Sequence, residues 1–185
     1  KAIDISRSSK NYPANLCCHR DTEKVFAVIF KKFGPVDGLI NSIGFFIKKP
    51  FIQLSEKEIQ EIVTANLTSV LFCCKYAHIK PQGHILNIAS SSYSRGRKDY
   101  TIYASCKAAI VNFTQGLAEE HPHLYINALA PQRTATAMRH REFPDEDPST
   151  LLSTEEVAQA ILNCLKSSIT GNLIEVKFKL RPKEL

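Results

Sequence analysis

The fold is decided by one stretch of the sequence, Ser90-Ser-Ser-Tyr-Ser-Arg-Gly-Arg-Lys-Asp-Tyr-Thr-Ile-Tyr-Ala-Ser-Cys-Lys107. An apolar run over residues 85–89 precedes it, which predicts a buried strand that delivers Ser90 at its end. Residues 103–117 contain no proline and repeat apolar side chains at steps of three and four, which predicts a helix. On that helix Tyr103 and Lys107 are four positions apart and therefore project to the same side.

The Tyr103–Lys107 pair has a chemical use in proton transfer. A free phenol has a pKa of about 10 and releases its proton poorly at neutral pH. A nearby ammonium stabilises the phenolate and lowers that pKa, which makes the tyrosine a usable general acid or base. A hydroxyl at the end of the preceding strand, such as that of Ser90, could hydrogen-bond the reacting oxygen. The three groups together suit proton transfer to a carbonyl or from an alcohol.

Five motifs in chain order resemble those of the short-chain dehydrogenase/reductase family. They are Asn41-Ser42-Ile43-Gly44, the asparagine in Ala65-Asn66-Leu67, the strand end Asn87-Ile88-Ala89-Ser90, the signature Tyr103-Ala-Ser-Cys-Lys107, and Ile126-Asn-Ala-Leu-Ala-Pro131 followed by Thr136. The resemblance covers nearly the whole chain. It implies an α/β fold with a Rossmann-like, doubly wound, mostly parallel sheet, and an oxidoreductase that uses a nicotinamide cofactor.

The resemblance also implies roles for these residues. Tyr103 would be the acid or base, and Ser90 would bind the reacting oxygen of the substrate. Lys107 would lower the pKa of Tyr103 and contact the nicotinamide ribose, while Asn66 would support the proton path to Lys107. The residues expected to contact the cofactor are Asn41, Gly44, Tyr103, Lys107, Pro131 and Thr136.

The beginning of the chain predicts the second strand of such a sheet rather than the first. Residues 2–6 alternate apolar and polar side chains and lead into a basic, hydroxyl-rich loop that contains Arg7. At this place in a dinucleotide-binding fold an arginine accommodates a 2′-phosphate, so Arg7 favours NADPH over NADH. Residues 15–18 are predicted to form a short third strand.

The first strand and the Gly-rich turn of the family are missing from this sequence. Its seven glycines include no Gly-x-x-x-Gly-x-Gly cluster, the motif whose backbone approaches a pyrophosphate at a helix N-terminus. Two explanations stay open. Residues 1–185 are a partial domain of a longer chain, or they form a non-catalytic scaffold or dimerisation module of the same fold. The intact Ser90, Tyr103 and Lys107 set favours the first.

Composition limits the class of protein. With 185 residues, of which 44% are hydrophobic and 23% charged, the chain is expected to be one globular domain in the cytoplasm. No block of like charges suggests a nucleic-acid partner, and the longest apolar runs are far shorter than the roughly 20 residues that span a bilayer. The six cysteines include no Cys-x-x-Cys spacing, which argues against a metal site. By resemblance, the predicted helices 55–78 and 103–120 would form a homo-oligomer, most simply a homodimer.

An anionic small-molecule substrate is favoured by the net charge of +6 and by the arginines of one segment. Residues 132–152 are predicted to form a polar lid, in which Arg133 and Arg139 suit bidentate contacts with phosphate or carboxylate. Arg97, shortly before the predicted catalytic helix, is a further candidate for substrate binding.

A narrower resemblance, within the family, concerns the reductase half of bacterial bifunctional proteins that join a ribulose 5-phosphate reductase to a cytidylyltransferase. It is carried by residues 90–97, 130–139, 151–158 and 170–176. The resemblance implies reduction of ribulose 5-phosphate to ribitol 5-phosphate, a fused or paired nucleotidyltransferase domain, and a role in making CDP-ribitol for surface polysaccharides. A reductase of another phosphorylated or acidic ketone remains an open alternative.

Overall fold

The structure is a computed structural model that describes residues 2–178 of the chain. Within this range a parallel sheet has the strand order β1-β2-β3-β4, and helices pack on both of its faces. The strands are β1 Val36–Asn41, β2 Ile79–Ile88, β3 Tyr125–Pro131 and β4 Leu173–Val176. The helices are α1 His19–Phe33, α2 Glu56–Val63, α3 Ser69–Tyr76, α4 Thr101–Glu120, α5 Ala137–Glu142 and α6 Thr154–Cys164. This architecture confirms the predicted Rossmann-like α/β class.

The strand β2 is buried on both faces, which accounts for its apolar run. Ile85 packs against Ala118 of α4, whereas its neighbour Leu86 packs against Cys164 of α6. A strand that is covered on both faces buries side chains of both orientations. Its sequence is therefore apolar at nearly every position instead of alternating between apolar and polar residues. Ser90 lies two residues beyond the end of β2 and therefore at the carboxyl edge of the sheet, where parallel α/β folds bind their ligands.

The two strands predicted near the start of the chain are wrong. Residues 2–6 and 15–18 have no strand structure, and their one ladder contact is an isolated parallel bridge between Ser6 and Pro13. A strand persists only where a neighbouring backbone satisfies its N–H and C=O groups. A groove of about 1200 Å³ lies between residues 2–7 and β1 instead, so the N-terminal segment does not pair with the sheet.

The helix predicted over residues 55–78 is present but is interrupted. A capping box begins this helix, since the Glu58 N–H donates to Ser55 Oγ at 3.2 Å and the Ser55 N–H donates to Glu58 Oε2 at 2.8 Å. A π-helical turn over Thr64–Thr68 joins α2 to α3. Such turns insert one residue into the helical repeat and are frequent at functional sites. This one contains Asn66.

The first residues of β2 form an irregular part of the strand. Residues 79–83 extend β2 through an irregularity, in which the pairing with β1 shifts register and Gln82 has a φ of 61°. Gly83 is required at this point because a Cβ would lie 2.5 Å from Ile79 Cγ2 and 2.8 Å from the Lys80 carbonyl oxygen. The tight packing of the irregular strand against itself therefore leaves no room for a side chain.

Replacing Gly83 by Ala should lower the free energy of unfolding by about 1–3 kcal/mol, the usual cost of overpacking a closed site. Urea denaturation measures this change. Gly116 is the matched control, because it lies inside α4 with no heavy atom within 4 Å of a built Cβ. Gly116→Ala should raise stability by about 0.5–1 kcal/mol through helix propensity. A Gly83→Ala protein with the wild-type denaturation midpoint would contradict this reading of the strand.

Candidate active site

The predicted catalytic residues meet where the carboxyl end of β2 faces the first two turns of α4. Ser90 lies close enough to Tyr103 for its hydroxyl to act to lower the pKa of that phenol. Lys107 lies one turn further along α4, with its Nζ atom 5.6 Å from the centre of the Tyr103 ring. The spacing in the sequence thus translates into one cluster of a hydroxyl, a phenol and an ammonium.

Ser92 is a member of this cluster that the sequence analysis did not single out. Its side-chain hydroxyl lies 3.0 Å from Ser90 Oγ, and its backbone N–H donates to the same oxygen at 3.3 Å. Ser92 is buried in the short 3₁₀ turn Ser91–Ser94 that follows the strand. The two contacts fix the direction of the Ser90 hydroxyl. Three serines follow one another at positions 90–92, and the sequence alone does not show which of them contacts the Ser90 hydroxyl. Only the geometry of the turn assigns that contact to Ser92.

An aromatic cluster covers Tyr103. The ring of Phe46 meets Tyr103 edge to face with centroids 4.8 Å apart, and it also contacts Tyr100 at 5.1 Å and Phe143 at 5.8 Å. Burial under these rings raises the pKa of Tyr103, and this effect outweighs the lowering by Ser90 and by the charge of Arg139. The net direction is upward because removal of the phenol from water dominates, and the lowering of this pKa by Lys107 stays a prediction.

Lys107 is itself strongly affected by burial. Its side chain is 3% exposed, and desolvation lowers its pKa from 10.5 to about 8. Its Nζ donates to the carbonyl oxygen of Ile88 at 2.9 Å, the single acceptor that it finds within residues 2–178. An ammonium has three N–H donors, so two remain to be satisfied by a ligand or by water. This is the strongest sign in the structure that a polar group belongs beside Lys107.

Asn66 connects the π-helical turn to the loop that follows β1. Its Nδ2 donates to the carbonyl oxygens of Phe45 at 2.6 Å and Ile62 at 2.8 Å, and its Oδ1 accepts from the Phe45 N–H at 3.3 Å. A Cβ on Gly44 would lie 3.2 Å from Asn66 Oδ1 and 4.0 Å from Lys107 Nζ. The glycine thus keeps the space between the buried amide and the ammonium open.

The other residues predicted to contact the cofactor differ in their exposure and in their hydrogen-bond partners. Arg7, Asn41 and Gly44 line the groove beside β1. The Arg7 guanidinium is exposed and donates to Asn15 Oδ1 at 3.2 and 3.3 Å. The Asn41 side chain is buried and donates to Asn87 Oδ1 at 2.8 Å, so its amide serves the core rather than a ligand. Thr136 caps α5 by accepting from the Arg139 N–H at 3.2 Å, while Pro131 ends β3.

The predicted lid over residues 132–152 contains α5 and is tied down at both ends. An isolated bridge between Thr134 and Leu152 closes its base. At its tip the Lys48 N–H donates to Glu142 Oε2 at 3.0 Å, and the Lys48 ammonium lies 4.7 Å from the centre of the Phe143 ring. A pocket of about 400 Å³ separates residues 44–47 from α5. The lid therefore covers Phe46 and the half-buried Tyr103 beneath it.

Two of the three predicted substrate arginines lie together. Arg133 and Arg139 both bind the carboxylate of Glu146. Arg97 is not part of this group, and within the described residues its buried Nε atom has no hydrogen-bond partner. Glu146 and Phe143 were missed by the sequence analysis, because nothing in a polar loop marks which acid pairs with which arginine.

A protein-family model for short chain dehydrogenases matches residues 4–147 of the chain. The chain belongs to this family. Its members are NAD(P)-dependent oxidoreductases, and the match confirms the family expected from the motifs. No helix within residues 2–178 is long and apolar enough to cross a membrane.

Curated relatives sharpen this assignment. The bifunctional ribulose 5-phosphate reductase/CDP-ribitol pyrophosphorylase Bcs1 of Haemophilus influenzae is 38% identical over 165 residues, which cover 86% of this chain and 35% of that protein. Gluconate 5-dehydrogenase of Gluconobacter oxydans is 33% identical over 127 residues, which cover 65% of this chain and 50% of that protein. The narrower resemblance to ribulose 5-phosphate reductases is thus confirmed, and the chain spans a third to a half of these two relatives.

Solved structures support the same fold. A short-chain dehydrogenase/reductase from Brucella melitensis has a TM-score of 0.83 at 28% identity, with 89% of this chain and 73% of that chain covered. The blue fluorescent protein from a metagenomic library, solved in complex with NADPH, has a TM-score of 0.82 at 21% identity, with 90% and 73% covered. The second similarity is one of fold alone.

The buried charge of Lys107 yields a prediction about stability. Because the folded-state pKa of about 8 lies below the value of 10.5 outside the fold, the ammonium destabilises the folded state at neutral pH. Lys107→Met should raise the free energy of unfolding at pH 7 by about 2 kcal/mol, since the displaced pKa corresponds to about 3 kcal/mol and the lost hydrogen bond to Ile88 offsets about 1 kcal/mol.

The increase in the free energy of unfolding caused by Lys107→Met should be complete below pH 8. It should shrink as the pH rises toward 10.5, where the lysine is neutral in both the folded and the unfolded state. Chemical denaturation at several pH values measures it. Lys98→Met is the control, because Lys98 is exposed and should change stability by no more than about 0.5 kcal/mol. A Lys107→Met protein that is less stable than wild type at pH 7 would contradict the prediction.

Proposed function

We propose that the protein reduces a carbonyl group to an alcohol with NADPH. The proposal rests chiefly on one observation, the convergence of Ser90, Tyr103 and Lys107 at the carboxyl edge of the sheet. Tyr103 would protonate the carbonyl oxygen, and Ser90 would hold that oxygen in place. The raised pKa of Tyr103 supports the direction of reduction, because it keeps the phenol protonated at neutral pH and ready to act as an acid.

The residues beside Lys107 fit the nicotinamide half of a dinucleotide. Two donors of the Lys107 ammonium lack acceptors among residues 2–178, and a ribose diol offers two oxygens side by side. Gly44 provides the open space next to them, and Arg7 is proposed to contact the 2′-phosphate that distinguishes NADPH. The bound cofactor would supply the hydride that reduces the carbonyl carbon. Asn41 would act through the backbone only, since its amide is held in the core.

The proposed substrate is ribulose 5-phosphate, with ribitol 5-phosphate as the product. The name of Bcs1 joins a ribulose 5-phosphate reductase to a CDP-ribitol pyrophosphorylase, and that protein shares 38% identity with this chain. Arg133 and Arg139 are proposed to hold the phosphate, because paired guanidinium groups bind such anions through several hydrogen bonds. Arg97 is proposed as a further contact, since its buried Nε has no partner within the described residues.

The biological setting forms part of the same proposal. By analogy with Bcs1, we propose that the domain acts beside a nucleotidyltransferase in the synthesis of a cell-surface polysaccharide precursor. A homodimer is proposed through α2, α3 and α4, and the exposed side chains of Phe51 and Ile52 next to α2 support it. A cytoplasmic location is proposed because all six cysteines are free thiols, as is usual in a reducing compartment.

A second candidate is a non-catalytic module of the same fold. The groove beside β1 favours it, because the outer edge of this strand carries no neighbouring strand within residues 2–178. A reductase of a different phosphorylated or acidic ketone is the alternative within the enzyme class. 5-keto-D-gluconate 5-reductase of Escherichia coli, a relative at 28% identity, is named for such an acidic ketone.

Oxidation of NADPH by the full-length protein, followed at 340 nm as a standard optical readout of this cofactor, tests the proposal with ribulose 5-phosphate as substrate. Wild-type protein should turn over, and Tyr103→Phe should lose activity by at least about 100-fold, the size expected when the general acid is removed. Because Phe fills nearly the same volume under Phe46, circular dichroism and the melting temperature should stay close to those of the wild type.

The outcomes separate the candidates. Activity on 5-keto-D-gluconate but not on ribulose 5-phosphate would replace the proposed substrate and retain the chemistry. A Tyr103→Phe protein that keeps a tenth of the wild-type rate would remove Tyr103 from its role. If the wild-type protein neither binds NADPH nor reduces either ketone, the non-catalytic module becomes the better reading.

A further inference from the structure

The carboxylate of Glu146 is held by two arginines of the lid. Arg139 contacts it in a bidentate manner, with Nε 2.6 Å from Oε2 and NH2 2.7 Å from Oε1, and Arg133 NH1 lies 2.9 Å from Oε1. The side chain of Glu146 is 14% exposed and that of Arg139 is 20% exposed. The two arginines hold the pKa of Glu146 below its ordinary value, so the group is an anion at neutral pH.

This arginine pair lies close to the reacting groups. The Arg139 guanidinium stacks 3.6 Å from the centre of the Phe143 ring, and Phe143 contacts Phe46, which in turn covers Tyr103. The positive charge of Arg139 is felt at the Tyr103 phenol, where it acts to lower the pKa. An anionic group on a small ketose could therefore reach the arginines while its carbonyl reaches Tyr103.

We infer that Glu146 is a built-in competitor for the substrate's anionic group, which occupies the Arg133–Arg139 anion site until a phosphate dianion of the substrate displaces it. The inference rests on the proposed function, because it takes the arginines as the site of the substrate's anionic group. Glu146 makes the kind of bidentate contact that a bound phosphate would make. The carboxylate thus acts as an internal competitor for the site.

Competition of this kind raises the intrinsic affinity that an anion needs in order to fill the site. A substrate carboxylate that displaces Glu146 makes the same kind of contacts with the two arginines that Glu146 made. The exchange therefore adds little net interaction energy. A phosphate brings a charge of about −1.5 to −2 and three acceptor oxygens, which allow it to satisfy both guanidinium groups more fully. The apparent affinity of every anion is its intrinsic affinity multiplied by the fraction of time for which Glu146 leaves the site free. An anion with a high intrinsic affinity for the two arginines, such as a phosphate, therefore fills the site at a lower concentration than a carboxylate does.

Glu142 provides a matched control within the same lid. Its Oε2 accepts from the Lys48 N–H at 3.0 Å, and its Oε1 accepts from Arg141 at 2.8 Å. Glu142→Gln removes the same charge from the lid and loosens its contact with the loop after β1, but it leaves the Arg133–Arg139 site filled by Glu146. It therefore separates opening of the lid from release of the anion site.

The experiment measures binding of inorganic phosphate and of acetate to the full-length protein by calorimetry or by ligand NMR, without any need for turnover. Glu146→Gln should tighten phosphate binding by about fivefold or more, because a charged competitor is replaced by a weaker neutral one. Acetate should gain by about the same factor as phosphate, because the same competitor is removed for both anions. Glu142→Gln should leave both constants at wild-type values, and Arg139→Met combined with Glu146→Gln should abolish the gain.

The opposite results are equally clear. Unchanged or weaker phosphate binding by Glu146→Gln would show that Glu146 only braces Arg139, and the inference would be overturned. The same gain in Glu142→Gln would assign the effect to opening of the lid and would also overturn it. If the binding results are as expected but no ketose phosphate is reduced, the inferred competition stands while the proposed function fails.

Discussion

A chain of buried hydrogen bonds between β1, β2 and α4 is the constraint on which the site depends. Asn41 Nδ2 donates to Asn87 Oδ1 at 2.8 Å, Asn87 Nδ2 donates to Thr114 Oγ1 at 3.0 Å, and Thr114 Oγ1 donates to the carbonyl oxygen of Ile110 at 2.6 Å. Asn87 and Thr114 are fully buried, and an unmade hydrogen bond there would cost about 1–3 kcal/mol. The chain therefore permits one register of the two strands and one rotation of the helix.

The rotation of α4 carries this constraint to the catalytic groups. Thr114 lies seven residues, or about two helical turns, beyond Lys107, so the two side chains share a face of the helix. Tyr103 lies one turn before Lys107 on the same face. When the buried chain fixes Thr114 against β2, it also directs the phenol and the ammonium toward Ser90 at the end of that strand. The core and the site are aligned by the same helix face.

The site holds its polar groups at a cost in stability. Burial raises the pKa of Tyr103 and lowers that of Lys107 to about 8, so both side chains are held in an environment that disfavours their charged forms. Displaced pKa values of this kind are typical of groups poised for proton transfer. The aromatic cover of Phe46 and Phe143 excludes water above the phenol, and the lid arginines supply positive charge at its edge. The arrangement suits an anionic substrate that brings its carbonyl to Tyr103.

The sequence by itself determined the features that depend on short spacing. The i,i+4 relation of Tyr103 and Lys107, the capping box at Ser55 and the apolar run before Ser90 each follow from local geometry, and the structure contains all three. Only the tertiary structure decided the rest, because the deciding neighbours are distant in the chain. Residues 2–6 are strand-like in pattern, yet no strand in the described part of the chain, residues 2–178, lies beside them for pairing. The pKa of Tyr103 depends on its cover by Phe46, which lies 57 residues earlier in the chain. The partner of Arg133 and Arg139 is likewise set by the folding of the lid, which brings one particular carboxylate, that of Glu146, between them.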